Sequence, residues 1–411
     1  MSDKKRLFLL DSYALIFRGY YALIKNPRIN SKGMDTSAIM GFMNSLFDVI
    51  KREQPDHLEV CFDKDGRAER TELFPEYKAN RDETPDAIRV AVPWIQKILR
   101  AMHIPCIEVS GLEADDIIGT LAKQAEKEGY RVYMVTPDKD FGQLVSENIF
   151  MYRPSRMGNG IEIWGIPEIQ KRFGVERPEQ VIDYLGMMGD SSDNIPGFPG
   201  VGDKTAKKFI SQFGSLEALL ENTDQLKGKM RENVEENAEI GRLSKRLATI
   251  CVDCAVAFDE RDFELSVPDS QQVQELFEEL EFRRLKEQFL KVFSEEVEGT
   301  PTLVSNTETA PTQKPEAGSG QFSLFGEGVS EGKVKAFSGR MTLKEVPHLY
   351  QPVKKGKALQ LFVKSMMQQK RVCFDTETTS LNPMEAELVG IAFSWESHKG
   401  FYVPFPEDQE E

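Results

Sequence analysis

Short apolar stretches alternate with helical patterns along the first third of the chain. The apolar stretches have the length and composition of strands, and they are RLFLLD (6–11), LEVCFD (58–63), IPCIEV (104–109) and RVYMVTPD (131–138). The helical patterns between them cover 36–53, 84–102 and 112–129. Such alternation predicts an α/β fold with a mostly parallel sheet flanked by helices.

Composition divides the rest of the chain into three parts. Residues 166–293 are mainly helical in pattern and predict a helical subdomain beside the α/β core of residues 1–165. Residues 294–335 are rich in Glu, Thr, Pro, Ser and Gly, so they predict a flexible, disordered linker that cannot offset its ordering entropy by burial. Strand-like alternation resumes in 336–411 and covers only a few strands, which predicts a small or truncated α/β unit.

Carboxylates follow the predicted strands. Because the carboxyl ends of parallel strands share one edge of a sheet, we expect these side chains to converge there. Further acids come in pairs at i,i+3 spacing, which places them on one helical face. The full set is Asp11, Asp63, Glu113, Asp115, Asp116, Asp138, Asp140, Asp190 and Asp193.

So many carboxylates in one place would repel each other or take up protons unless cations neutralise them. Oxygen ligands without nearby His or Cys favour Mg²⁺ or Mn²⁺ over zinc. Two such ions about 4 Å apart activate a water molecule and stabilise the leaving oxygen of a phosphodiester. The alternative for each acid alone is a turn or helix cap, but four separate acidic clusters at one edge favour the metal site.

Histidine and cysteine give no comparable pattern. The histidines are His57, His103, His348 and His398; they lie outside the acidic clusters, and we expect them at the surface or in packing. Cys251 and Cys254 form a CxxC without a second pair at zinc-site spacing, so we expect buried, reduced thiols. Five scattered cysteines and the lack of a stretch of roughly 20 apolar residues predict a soluble, cytoplasmic protein with no membrane contact. We also expect a monomer.

Two segments carry basic residues suited to a nucleic acid. The segment after Asp63 contains Arg70, Tyr77, Lys78 and Arg81, which could grip phosphates while the tyrosine stacks on an unpaired base; a solvated loop is the alternative. The net charge of −15 counts against a nucleic-acid partner, but acids in a metal site and a linker leave room for a basic face.

The second segment is IPGFPGVGDKTAKK, which predicts two helices joined by a glycine-rich turn. Glycine lets backbone approach a phosphate closely, and the following helix offers free N–H groups and a positive dipole end. A helix pair that merely packs is the alternative. The residues expected to contact a duplex here are Gly197, Gly200, Gly202, Lys204, Lys207 and Lys208.

Taken together, these motifs make residues 1 to about 293 resemble the flap endonuclease-like 5′-3′ exonuclease domain at the N-terminus of bacterial DNA polymerase I. The matching motifs are LLDSYALIFRGYYA, CFDKDGRAERTELFPEYKANR, GLEADDIIGTLA, TPDKDFGQL and GDSSDNIPGFPGVGDKTA. The resemblance implies a PIN-like core and a Mg²⁺-dependent enzyme that cleaves 5′ flaps, nicked DNA and RNA primers in replication and repair. A non-catalytic DNA-junction binder is the competing hypothesis.

The resemblance also implies roles for individual residues. The nine carboxylates would hold two or more metal ions, while Arg70, Lys78 and Arg81 would be the catalytic cations at the scissile phosphate. Tyr77 would lie in a helical arch near 64–85, and Arg18 would contact DNA. A helix-three-turn-helix near 185–214 would grip the duplex and could hold K⁺. Pro137 departs from the small residue usual in the TxDKD pattern.

Two further resemblances concern the C-terminal part. Asp375 and Glu377 in FDTET resemble the first metal motif of a 3′-5′ exonuclease domain of ribonuclease H-like fold, whose later motifs do not appear. We therefore expect no proofreading by this chain. It also has no polymerase palm, so we expect polymerase activity only from a full-length family member. In the linker, Gln321, Phe322, Ser323, Leu324 and Phe325 resemble the short peptide that bacterial proteins insert into the sliding clamp.

Overall fold

A computed structural model describes residues 5–64, 68–154, 160–293, 349–380 and 386–405. The strands are β1 Arg6–Asp11, β2 His57–Phe62, β3 Cys106–Glu108, β4 Arg131–Val135, β5 Ile149–Pro154, β6 Ile161–Trp164, β7 Leu349–Pro352, β8 Cys373–Thr378, β9 Leu388–Glu396 and β10 Lys399–Pro404. The α-helices are α1 Ser12–Leu23, α2 Ser37–Glu53, α3 Ala68–Leu73, α4 Asp86–Ala101, α5 Ala114–Lys127, α6 Ile166–Phe173, α7 Val181–Met188, α8 Asp203–Phe213, α9 Leu216–Glu221, α10 Lys229–Glu236, α11 Ala238–Ala248, α12 Ser270–Glu279, α13 Arg283–Phe293 and α14 Gly356–Met367. Short 3₁₀ helices cover Lys139–Leu144, Pro178–Gln180, Thr223–Gln225 and Glu260–Phe263.

The first sheet has the strand order β3-β2-β1-β4-β5-β6. Strands β1 to β5 pair in parallel, and β6 is antiparallel to β5. The mostly parallel α/β sheet is therefore confirmed. Strand β1 has the predicted bounds, and β2, β3 and β4 differ from theirs by three residues at most at either end. The sequence analysis did not predict β5 and β6, which are short strands at the far edge of the sheet.

Both faces of this sheet are covered, so successive residues of β1 enter different cores. Phe8 and Leu10 face a core built with α2, α4, α12 and α13, whereas Leu7 and Leu9 face a core built with α5 and the helical subdomain. All four side chains are fully buried. This two-sided burial explains why the strands are continuous apolar runs and not alternating ones.

Helices α1 and α2 approach each other closely on one face. A Cβ added to Gly19 would lie 2.7 Å from the Cα of Gly41, so neither position has room for a side chain. The contact fixes α1, and therefore the end of β1, against the core.

A second, four-stranded sheet has the order β7-β10-β9-β8, and α14 packs on it. Helix α14 also packs against α13, so the smaller unit contacts the larger one. Every residue of β8 is exposed. The expected small α/β unit is present, whereas the expected linker at 294–335 lies outside the described residues. Within the described residues, no helix has the length and apolar character that a membrane span requires.

Candidate metal and nucleic-acid site

The carboxyl ends of three neighbouring strands define the site. β1 ends at Asp11, Asp63 directly follows β2, and Asp138 lies three residues beyond β4. The chain order reverses across the β1–β4 pair, which is where open α/β sheets bind ligands. The three aspartates therefore meet at the place that the sequence predicted.

Backbone groups hold these aspartates in position. Asp11 caps α1 by accepting a hydrogen bond from the Ala14 N–H (3.1 Å), and its second oxygen accepts one from the Thr136 hydroxyl (2.9 Å). Asp63 accepts one from the Ala114 N–H (2.8 Å), which ties the end of β2 to the start of α5. Each carboxylate keeps oxygen lone pairs for a further partner.

The remaining acids come from helix starts and from one loop. Glu113 is the N-cap residue of α5, and Asp115 and Asp116 lie in its first turn. Ligand oxygens of these three residues lie within 4.8 Å of one another, a spacing that suits a shared cation. Asp138 caps the 3₁₀ helix Lys139–Leu144 by accepting from the Asp140 N–H (3.0 Å).

The electrostatics show that the clusters form one network. Burial, together with the charges of Asp63 and Asp138, raises the pKa of Asp11 to about 7. Burial also raises the pKa of Asp138, to which Asp193 and Asp115 add repulsion. These acids therefore need protons or cations as compensation.

Basic side chains supply part of that compensation. Arg70 is 3% exposed and donates hydrogen bonds to Glu113, to Asp116 (3.0 Å) and to the carbonyl of Thr249 (2.9 Å). Burial alone would raise the pKa of Glu113, but Lys78 and Arg70 hold it below its usual value. Helix α3 thus places its arginine inside the acidic cluster and not on a solvated loop.

The segment after α3 packs on the loop that carries Asp193. The Lys78 N–H donates to the carbonyl of Asp193 (2.9 Å), and Lys78 adopts a left-handed backbone (φ 58°). Arg81 forms an ion pair with Asp193. Tyr77 is 8% exposed, with its hydroxyl 3.2 Å from Glu113, so in this conformation its ring is not presented to a base.

A cavity of about 710 Å³ opens beside these acids and contains residues that the sequence analysis missed. Lys139 forms an ion pair with Asp190, whose pKa burial would raise but Lys139 and Ser192 lower. Arg153 stacks on Trp164, with its guanidinium 3.7 Å from the ring centroid. Lys139 could have been noticed between two acids of the TPDKD motif; the arginine and tryptophan lie on β5 and β6, which were not predicted.

The glycine-rich turn joins α7 to α8 as expected. Gly197 has φ 60°, and a Cβ there would lie 2.4 Å from the Gly189 nitrogen. Gly202 is the N-cap residue of α8 and faces open space. Lys204 and Lys208 are exposed, whereas Lys207 forms an ion pair with Asp203 (2.9 Å).

The other predicted residues lie outside this cleft or outside the described chain. Arg18 is partly exposed on α1. Asp375 and Glu377 lie on exposed β8, two residues apart and thus on one face. Gln321–Phe325 of the clamp-like peptide lie outside the described residues. Cys251 and Cys254 are free thiols, but they are partly exposed, so the expected burial is wrong.

Comparison with known proteins agrees with this architecture. Residues 6–174 match the model of the 5′-3′ exonuclease N-terminal resolvase-like domain, and residues 176–271 match that of the 5′-3′ exonuclease C-terminal SAM fold. The T5 D15 protein co-crystallised with metal ions has a TM-score of 0.50 and 22% identity, covering 67% of this chain and 99% of that one; this similarity shows the fold.

Curated relatives fall into two length classes. A 5′-3′ exonuclease of Aquifex aeolicus is 36% identical over 289 residues, which cover 70% of this chain and 96% of that protein. DNA polymerase I of Chloroflexus aurantiacus is 34% identical over 400 residues, covering 97% of this chain and 41% of the polymerase. DNA polymerase I of Bacillus caldotenax is 39% identical over 295 residues, and only 33% of its length is covered.

Proposed function

Since this chain belongs to the 5′-3′ exonuclease family, we propose that its first 293 residues act as a Mg²⁺-dependent, structure-specific nuclease on 5′ flaps, nicks and RNA primers. The observation that carries the proposal is the single network of nine carboxylates at the carboxyl edge of the parallel sheet, of which all but the exposed Asp138 are buried or half-buried. A merely structural role does not account for acids held at raised pKa beside an open cavity.

The donor set fits hard divalent cations. The carboxylates that line the cleft offer oxygen atoms alone, which Mg²⁺ and Mn²⁺ prefer. Two bound ions would supply an activated water molecule and stabilise the leaving oxygen. The residues proposed as ligands are Asp11, Asp63, Glu113, Asp115, Asp116, Asp138, Asp140, Asp190 and Asp193.

The surrounding cations position the substrate in this proposal. Lys78 and Arg81 now pair with Glu113 and Asp193, and a phosphate entering the cleft would compete for them once metal ions neutralise those acids. Arg70 has almost no exposure, so its role is to hold Glu113 and Asp116 in place.

The duplex is proposed to bind at the glycine-rich turn. Gly200 and Gly202 have open space where a side chain would be, so phosphate oxygens can reach the N–H groups at the start of α8. Lys204 and Lys208 add charge, and the turn's carbonyls are the proposed K⁺ ligands. Since the turn begins at Gly189, next to Asp190, the distance from duplex to metal site is fixed and restricts the cut position.

A labelled 5′-flap DNA with Mg²⁺ tests the function. We expect cleavage near the flap junction that EDTA abolishes and fresh Mg²⁺ restores. Specific binding without cleavage under these conditions would instead identify a junction-binding protein.

The remaining assignments are proposals about a longer protein. The chain spans about two fifths or one third of the polymerases it matches, so polymerase activity is proposed only for a chain of that length. Asp375 and Glu377 would then begin a proofreading site. We also propose that residues 321–325 bind the sliding clamp; titration of a linker peptide against the clamp tests this, and absence of binding at high micromolar concentration would refute it.

A further inference from the structure

The amino end of β2 carries a buried histidine, at the sheet edge opposite the carboxylate network. His57 is 2% exposed, and neither ring nitrogen has a hydrogen-bond partner within the described residues. Its Nε2 lies 3.3 Å from Glu260 Oε1, but without the geometry of a hydrogen bond. A buried polar group without a partner is costly, so these nitrogens call for an explanation.

The backbone brings two glutamates to this histidine. His57 and Glu264 form an isolated antiparallel bridge, next to which the Leu265 N–H donates to the carbonyl of Asp56 (3.2 Å). Directly opposed residues of such a bridge have Cβ atoms about 5 Å apart on one face. Glu260 begins the 3₁₀ helix that ends just before Glu264. One ligand atom from each of the three side chains lies within 4.8 Å of the others.

We propose that His57, Glu260 and Glu264 bind one divalent transition-metal ion, for which Zn²⁺ is the best match. Imidazole together with carboxylates favours zinc over Mg²⁺, which prefers oxygen ligands alone. Tetrahedral zinc with bonds of about 2.0 Å separates neighbouring ligand atoms by about 3.3 Å. The His57–Glu260 pair already has this separation, and a small rotation of the Glu264 side chain would complete the set.

Most groups around the trio are compatible with an ion, whereas the charge of Lys364, which with burial lowers the pKa of His57, opposes one. Lys5 now forms an ion pair with Glu260, but its side chain is 59% exposed, and such surface pairs contribute only about 0–1 kcal/mol. The amide of Gln368, the C-cap residue of α14, donates a hydrogen bond to the Glu264 carboxylate (3.3 Å). An amide N–H is not a metal ligand, so it does not compete for the ion. The Tyr130 ring packs edge-on against the His57 ring, and its hydroxyl interacts with Glu260, so it can help to orient that carboxylate.

The ion would be structural in effect. It would join the start of β2 to residues that lie more than 200 positions later in the chain, just before α12, and through Gln368 it would also contact α14. The site uses no residue of the proposed nuclease centre, so it stands independently of the proposed function.

Equilibrium dialysis with Zn²⁺ tests the site, with excess Mg²⁺ present to compete for the all-oxygen centre and with ligand variants to isolate the proposed site. We expect the full chain to bind one more tight equivalent of Zn²⁺ than His57→Gln or Glu264→Gln. Lys5→Gln removes the competing ammonium and should bind Zn²⁺ about two- to five-fold more tightly than wild type. Zn²⁺ should also raise the melting temperature of wild type but not of His57→Gln.

Equal zinc stoichiometry in wild type and the two ligand variants would overturn the proposal. Imidazole NMR signals of the wild-type protein give a readout that does not depend on how the variants fold. The His57 signals should shift on addition of one equivalent of Zn²⁺ under saturating Mg²⁺, whereas unchanged signals would refute ligation.

Discussion

At the scale of single residues, the pKa of Asp138 depends on charges from distant parts of the chain. Its neighbour Asp140 supplies an N–H donor, while Asp193 and Asp115 supply negative charge from another loop and from α5. A cation between these acids would relieve repulsion that no nearby base neutralises fully.

We expect Asp138→Ala to lower flap cleavage by at least about 100-fold, while flap binding in Ca²⁺ stays close to wild type. Single-turnover cleavage and fluorescence anisotropy measure the two effects. Asp86→Ala is the matched control, because Asp86 is an exposed acid at the start of α4 that pairs only with Arg89 among the contacts described. Normal cleavage by Asp138→Ala would contradict the metal assignment.

A buried glutamate, Glu59, should make the stability of the fold depend on pH. Glu59 is 4% exposed in β2, and burial, with the charge of Asp262, raises its pKa to about 8. Its ordinary value is 4.5, so between these values the folded protein binds a proton that the unfolded chain has lost. This contribution therefore favours the folded state at low pH and is lost as pH rises towards 8.

We expect the free energy of unfolding of Glu59→Gln to depend less on pH. Its advantage over wild type should grow by about 2 kcal/mol from pH 6 to pH 8. Urea unfolding in EDTA measures this difference without metal effects. Parallel pH profiles for the two proteins would show that Glu59 is already ionised at neutral pH.

At the scale of elements, the turn between α7 and α8 contains one glycine that is needed for packing and another that is open to a ligand. A Cβ on Gly197 would meet the backbone at Gly189 and Met188, and its φ of 60° disfavours any other residue. Gly202 has extended backbone (φ −108°) and open space around it.

Gly197→Ala should therefore destabilise the fold by about 2 kcal/mol or more, since backbone must move to admit the methyl group. Gly202→Ala is the matched control, with unfolding free energy within about 0.5 kcal/mol of wild type but weaker duplex binding. Thermal unfolding and duplex titration distinguish them. Similar stability of both variants would show that the turn is looser than described.

The lysines of α8 give a prediction about salt dependence. Lys204 is exposed, whereas Lys207 is held by Asp203. Lys204→Ala should weaken duplex binding and reduce the salt slope by about one phosphate contact, and Lys207→Ala should do so less. Titrations at several salt concentrations measure both, and an unchanged slope for Lys204→Ala would remove its proposed phosphate contact.

At the scale of the whole molecule, the smaller α/β unit docks on the larger one through apolar surface. Leu361 and Phe362 of α14 belong to the same buried cluster as Phe289 and Phe293 of α13. These residues belong to a different buried cluster from the helices of the glycine-rich turn, so we expect docking to contribute to stability and not to the proposed chemistry.

A chain of residues 1–293 should accordingly retain flap cleavage at a similar rate but melt at a lower temperature than the full chain. The Aquifex relative, which matches this chain over 289 residues and is almost fully covered, supports such a unit. Flap cleavage and calorimetry test the two parts, and loss of cleavage in a folded fragment would show that residues beyond 293 contribute to the site.

The sequence was sufficient to predict four of the parallel strands and to place carboxylates at one edge of their sheet. Strand-length apolar runs ending in Asp11, Asp63 and Asp138 specified parallel strands with acids at one edge, because local composition and period suffice for both inferences. Strands β5 and β6 escaped prediction because their pairing depends on partners that the sequence does not identify. Only a tertiary fold reveals such partners.

Tertiary structure alone decided which charges pair. The sequence predicted that Arg70 and Tyr77 contact DNA, with a solvated loop as the alternative, yet packing buries both against Glu113. Burial raises the pKa of Tyr77, whereas the pKa of Arg70 rises, against the effect of burial, because acids surround it. Tertiary structure likewise brought His57 to Glu260 and Glu264, two hundred residues away, where no spacing rule could place them. Local pattern fixes what each segment forms, whereas contacts between distant segments depend on which surfaces the whole chain buries together.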